Sequence, residues 1–292
     1  MTATEDEAPF VLDELVRVYL GLRDAWRAAL NVRECADGAP WQWASEEPDD
    51  APITSADRLI MAAQESGMLA AQGVTQHLGL MARAYWLDPA DTDGAESGRW
   101  LYGAPFAPAR AVIEGTAMVG WLLDPAIEHS ERARRGAMLG LWSLPGEWKD
   151  DARAAGLDVR TDERGVRFIW TGEDSRPLSM HIMIKATHGP KVARTYGRWS
   201  KLLHYDPHLI GRGTRYLMED RGRVGVGVMS EDEHLVVAAE VASAVAAAAR
   251  AQAGYFGRSA ADLLRMSEEI ITMTQAQFPA VTDVVASREA GR

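Results

Sequence analysis

Residues 107 to 123, APARAVIEGTAMVGWLL, constrain the fold more than any other stretch. Small or apolar side chains fill nearly every position, and only Arg110, Glu114 and Thr116 interrupt them. A helix that is apolar all round has no face to give to water, so other elements must surround it. The stretch therefore predicts a central rod inside a multi-helix bundle. Its charged pair then needs partners, because an unpaired charge removed from water is costly. Arg110 and Glu114 sit four apart and share a face, but arginine before glutamate is the weaker order for a pair within one helix. That order points to partners on another helix. The pair reads either as a buried ion pair that fixes helix register or as part of a site.

The remaining helices are read from spacing and end signals. Val11, Leu15, Val18, Tyr19, Leu22, Trp26 and Leu30 recur every three or four residues and predict a helix over 10–32. Residues 34–54 form a long polar loop with Trp41 and Trp43. Ser55 reads as the N-cap of a helix running to Trp86, in which Gly67, Gly73 and Gly79 mark close packing. Asp124-Pro125 stops the rod and reads as the cap and first position of the next helix, which has acids before Arg132, Arg134 and Arg135. Gly136 and Gly140 would let a neighbour approach it. A short helix follows over 147–156.

The period then changes. Two apolar runs around Asp162-Glu163-Arg164-Gly165 predict a β-hairpin near 157–171, and a second is expected near 216–228. Residues 177–187 are ambiguous. Residues 191–205 read as a helix stopped by Asp206-Pro207. Ser230 with Glu233 and Ser259 with Asp262 are capping boxes that open helices to about 253 and 278. The expected fold is mainly α: an acidic tail over 1–8, a single helical domain over 9–280, and a C-terminal tail over 281–292.

Composition narrows the setting. The chain carries a net charge of −11 and one cysteine, Cys35, so no internal disulfide can form. The acidic start lacks a signal-peptide pattern, and no run of about 18 apolar residues is seen. A soluble cytoplasmic protein with no membrane contact is expected. The charge is uneven, with nine Lys or Arg against three acids between Lys185 and Arg223. That +6 segment is the one place where RNA could be attracted.

Chemistry is sought in Thr195–His208. If residues 191–205 are helical, Ser200 and His204 lie four apart on one face. They could line a polar cluster with Arg110 and Glu114, or His204 could simply hydrogen-bond Glu114 or a backbone carbonyl. Metal readings are weak. His204-x-Asp206-x-His208 alternates ligand types, but Pro207 makes Asp206 a helix-end cap. Glu231-x-x-His234 is half of a di-iron pattern with no second half. No nucleophile elbow precedes Ser200, and no phosphate-cradling loop is present. No metal or cofactor is expected.

The Arg110-x-x-x-Glu114, Trp121-Leu-Leu-Asp-Pro125 and Tyr196-x-x-x-Ser200-x-x-x-His204 stretches resemble a diffuse group of uncharacterised helical proteins from actinobacteria. The likeness spans residues 107–208. It implies that Glu114, Ser200 and His204 lie near one another, and it implies no reaction. Arg198-x5-His204 is also distantly similar to the Arg-x(4–6)-His pattern of HEPN-type ribonucleases, although Trp199 stands where that pattern carries a small polar residue. That similarity implies a metal-independent ribonuclease acting as a dimer, in which His204 helps activate the RNA 2′-hydroxyl and Arg198 offsets phosphate charge. Two readings follow. One is a self-associating binding protein with the cluster Arg110, Glu114, Ser200 and His204. The other is the HEPN-type nuclease with Arg198 and His204 as catalytic residues.

Overall fold

The computed structural model describes residues 8–30, 39, 52–85, 105–143, 146, 148–172, 175–203 and 231–277. These form helices α1 (Ala8–Ala29), α2 (Ser55–Tyr85), α3 (Phe106–Leu122), α4 (His129–Ser143) and α5 (Trp148–Ala154), then strands β1 (Val159–Thr161) and β2 (Arg167–Ile169). Helices α6 (Met180–Leu203), α7 (Glu231–Tyr255) and α8 (Ala261–Gln277) complete them. The fold is mainly α with one small antiparallel ribbon, as the patterning predicts. The second hairpin near 216–228, most of the loop over 34–54, residues 1–7 of the acidic tail and the C-terminal tail over 281–292 lie outside the described residues.

Helix α3 is the rod. It packs against α2, α6 and α7 at once, and Ala109, Val112, Ile113, Ala117 and Val119 are fully buried between them. Helix α1 buries Leu15, Tyr19, Leu22 and Trp26 on α2, and the Trp26 indole donates to the Ala71 carbonyl at 2.8 Å. Helix α8 closes the bundle on α7 and α1. By length and composition, α7 over His234–Tyr255 is apolar enough to cross a membrane, although its sequence, alanine-rich and carrying Glu240, is expected to fall short of a span. Here 72% of that window is buried, so the core takes up its apolar surface.

Three boundaries differ from expectation, each for a local reason. Thr54, not Ser55, caps α2: its hydroxyl accepts the Asp57 N–H at 3.2 Å, while the Asp57 carboxylate accepts the Thr54 N–H at 3.0 Å. Helix α4 starts at His129, not at Pro125. The Asp124 carboxylate takes the Ala126 N–H at 3.0 Å, and the Asp124 and Ile127 carbonyls turn to Arg132 at 2.7 and 3.0 Å, which keeps the connection out of helical register. The ambiguous 177–187 segment becomes helical from Met180, and this limb joins the expected 191–205 helix across Gly189, whose φ of 83° and ψ of 172° break the rod in two.

Arg132 is 4% exposed and lies over the Tyr255 ring at 4.7 Å. Burial depresses its pKa. The Gln64 amide donates to the Tyr255 hydroxyl, so one buried polar chain ties the α3–α4 connection and α2 to α7. The hairpin docks on the outer side of α4, where Ile169 joins Leu59, Ala137, Leu141 and Ala152. There α4 presses against the start of α2 so closely that a Cβ at Gly136 would overlap the Leu59 carbonyl. Of the three glycines expected to mark close packing in α2, only Gly67 does so, against Leu123.

Backbone atoms cannot swing away as a side-chain tip can. Gly136→Ala is therefore expected to destabilise the protein by about 1–3 kcal/mol, read as a lower urea midpoint at unchanged slope. Gly73→Ala, with nothing near its Cβ, should not destabilise it.

Candidate functional site

Helices α3 and α6 run past each other in opposite directions, and a series of contacts fixes their register. Phe106 meets Trp199, with ring centroids 5.9 Å apart. One turn along α3, Arg110 and Glu114 meet Tyr196. Further on, the Thr116 hydroxyl lies 3.1 Å from His188 Nε2, and the Thr187 hydroxyl donates to the Ala117 carbonyl at 3.1 Å. The Thr116 hydroxyl also reaches the Val112 carbonyl at 2.8 Å, so it bridges its own helix to the His188 ring. Trp199 is buried and acts as the anchor of this limb.

The centre of the site is a closed three-membered cluster. Arg110 Nε donates to Glu114 Oε1 at 2.8 Å, the Tyr196 hydroxyl donates to the same oxygen at 2.7 Å, and Arg110 Nη2 donates to that hydroxyl at 3.0 Å. The guanidinium also lies 5.0 Å from the tyrosine ring centroid. The Arg110 and Glu114 side chains are 27% and 29% exposed, so the pair is half-buried rather than fully enclosed. It bonds within its own helix in the weaker order, against expectation, and also recruits a partner from α6. The order preference is worth only a few tenths of a kcal/mol, and a charge-assisted bond from a third group exceeds it.

The cluster sets the protonation of its members. Burial, then the bond to Glu114, push the Tyr196 hydroxyl up to about 12, outweighing the opposite pull of Arg110. For Arg110, burial works against the charge, but the bonds to Glu114 and Tyr196 prevail and raise its pKa. Tyr196 is thus a fixed hydrogen-bond donor at neutral pH, not a base.

Ser200 lies one turn beyond Tyr196 on the same face of α6, half-buried and with no partner for its hydroxyl among the described residues. Arg110 Nη1 and Glu114 Oε2 are likewise unoccupied there. Arg198 sits on the opposite, exposed side of the helix. His204 and the rest of the basic 185–223 segment beyond Leu203 lie outside the described residues. His234, half of the di-iron pattern, is buried in α7, and desolvation lowers its pKa to about 4. Among the described residues no group of three or more His, Cys, Asp or Glu is arranged to hold a metal.

Tyr196 is the site residue that sequence reasoning missed. It stands in the Tyr-x-x-x-Ser stretch, where helical spacing aligns it with Ser200, but nothing in the sequence shows that it faces Glu114. No family model matches the chain, and neither a curated protein nor a solved structure is detectably similar to it.

Tyr196→Phe removes one charge-assisted bond from a half-exposed cluster and should cost about 1 kcal/mol in chemical denaturation. Because the hydroxyl is raised from 10 to about 12, its contribution is complete below pH 10 and is lost as pH rises toward 12. Wild-type stability should therefore fall more steeply than that of Tyr196→Phe across this alkaline window.

Proposed function

We propose that this is a binding protein of the cytoplasm, with its recognition site at the half-open Arg110–Glu114–Tyr196 cluster and Ser200. The observation that carries the reading is the pattern of valences left free among the described residues. Arg110 Nη1 is a donor, Glu114 Oε2 is an acceptor and the Ser200 hydroxyl is either. A donor beside an acceptor on a nearly neutral frame suits a carboxamide or peptide group better than a strong ion. Tyr196, locked as a donor, holds the frame rigid and supplies no proton acceptor for catalysis. A titration with acetylated tripeptide amides of mixed sequence, followed by NMR, should shift the Tyr196 and Ser200 resonances and leave Glu114→Gln unresponsive. Equal shifts in both proteins, or none, would remove the reading.

Self-association is part of the proposal. Helix α2 exposes Met61, Leu69 and Leu80 along one stripe, Leu69 being 67% exposed. Glu65, Gln72 and Gln76 lie between them on the same exposed face, the mixed composition of an interface that is not permanent. Light scattering should give twice the chain mass, and Leu69→Glu should return it to that of one chain with an unchanged melting temperature. A single-chain mass for the wild type would refute self-association.

A second reading is the metal-independent ribonuclease. What favours it is the exposure of Arg198, which a phosphate contact across a symmetric groove requires. RNA incubated with the protein in chelator should then be cleaved, and Arg198→Ala and His204→Ala should each abolish the cleavage. Intact RNA, or equal cleavage by all three, eliminates the nuclease.

A further inference from the structure

A second concavity lies at the far end of the α3–α6 seam, away from Tyr196. It holds about 340 Å³, near the lower limit of small-molecule sites. Its lining comes from four helices and the α3–α4 connection. Trp121 and Pro125 supply apolar walls, and Ala186, Ala247 and Ala251 keep it open where larger side chains would fill it. Ala247 and Ala251 are only half-buried, unlike Ala248 and Ala249 beside them, which pack into the core.

The charges in this concavity are unequal in their commitments. Arg135 is committed: it donates to Glu131 at 2.8 Å and to the Trp121 carbonyl, lies 3.7 Å from Asp124, and stacks over the Trp121 ring at 5.3 Å. Arg250, which also lines the space, has no hydrogen bond, ion pair or ring contact among the described residues. Among the described residues, this leaves one uncompensated guanidinium on the wall of a small pocket whose lining is part polar and part apolar. Its planar fork matches a carboxylate through two parallel bonds. Asp124 disfavours a second negative charge, which selects a monoanion over a phosphate dianion. We propose that this concavity binds a small monocarboxylate, with its carboxylate on Arg250 and a compact apolar body against Trp121 and Pro125.

Calorimetric titration of the full chain tests this, with 3-phenylpropionate as probe and 3-phenylpropionamide and inorganic phosphate as controls. The acid should bind one to one, and neither control should bind or compete. Arg250→Gln removes a charge-assisted pair at an exposed position and should weaken binding about tenfold or more, with an unchanged melting temperature. Ala247→Leu should fill the space and abolish binding; if that variant does not fold, Arg250→Gln alone decides. Arg110→Gln should leave the affinity intact, which separates this site from the Tyr196 cluster. The proposal is overturned if the acid does not bind, if the amide binds as well, if phosphate displaces the acid, or if Arg250→Gln retains wild-type affinity.

Discussion

Helix α3 has to be enclosed on three sides and still carry two opposite charges, and the rest of the structure follows from how that is met. Its apolar positions are spent on α2, α6 and α7, which all pack along it. Arg110 and Glu114 emerge at a partly open edge beside α6. The pair stays near water, which limits the desolvation cost that a fully buried pair would incur. The Tyr196 hydroxyl closes the pair into a ring of bonds, so the charges are held in one geometry instead of sampling many.

Helix α6 follows the rod as two limbs and not as one straight helix. The break at Gly189, with its left-handed φ of 83°, resets the direction between the Thr187–His188 contacts and the Tyr196–Trp199 contacts. Glycine reaches that conformation without the strain a Cβ would bring. Pro190 then opens the second limb, where its missing N–H is harmless. The two proposed sites lie on the two limbs, so the same break also separates them.

Arg132 plays the corresponding role on the other side. It is a buried cation whose hydrogen-bond acceptors are backbone carbonyls, assisted by the Tyr255 ring. Through it the α3–α4 connection is tied down, which delays the start of α4, and Asp124 and Pro125 of that connection line one wall of the carboxylate pocket. The pocket is therefore a by-product of how the core is fastened, with Arg135 spent on structure and Arg250 left over.

The sequence by itself determined the class of fold, the rod, the existence of α1, α2 and the first hairpin, and the tension at Arg110 and Glu114. Each of these is written in local sequence: burial of one helix face imposes a period of three to four residues, a rod buried all round is apolar at nearly every position, and a hairpin shows as two apolar runs about a turn. Tertiary structure alone decided the partner of that charged pair, the continuation of α6 through residues 180–188 and the pairing of Trp121 with Arg250 around one cavity. Tyr196 lies 82 positions from Glu114, and Arg250 lies still further from Trp121. No periodicity links residues that far apart; what brings them together is the crossing of packed helices, whose geometry depends on every side chain between them.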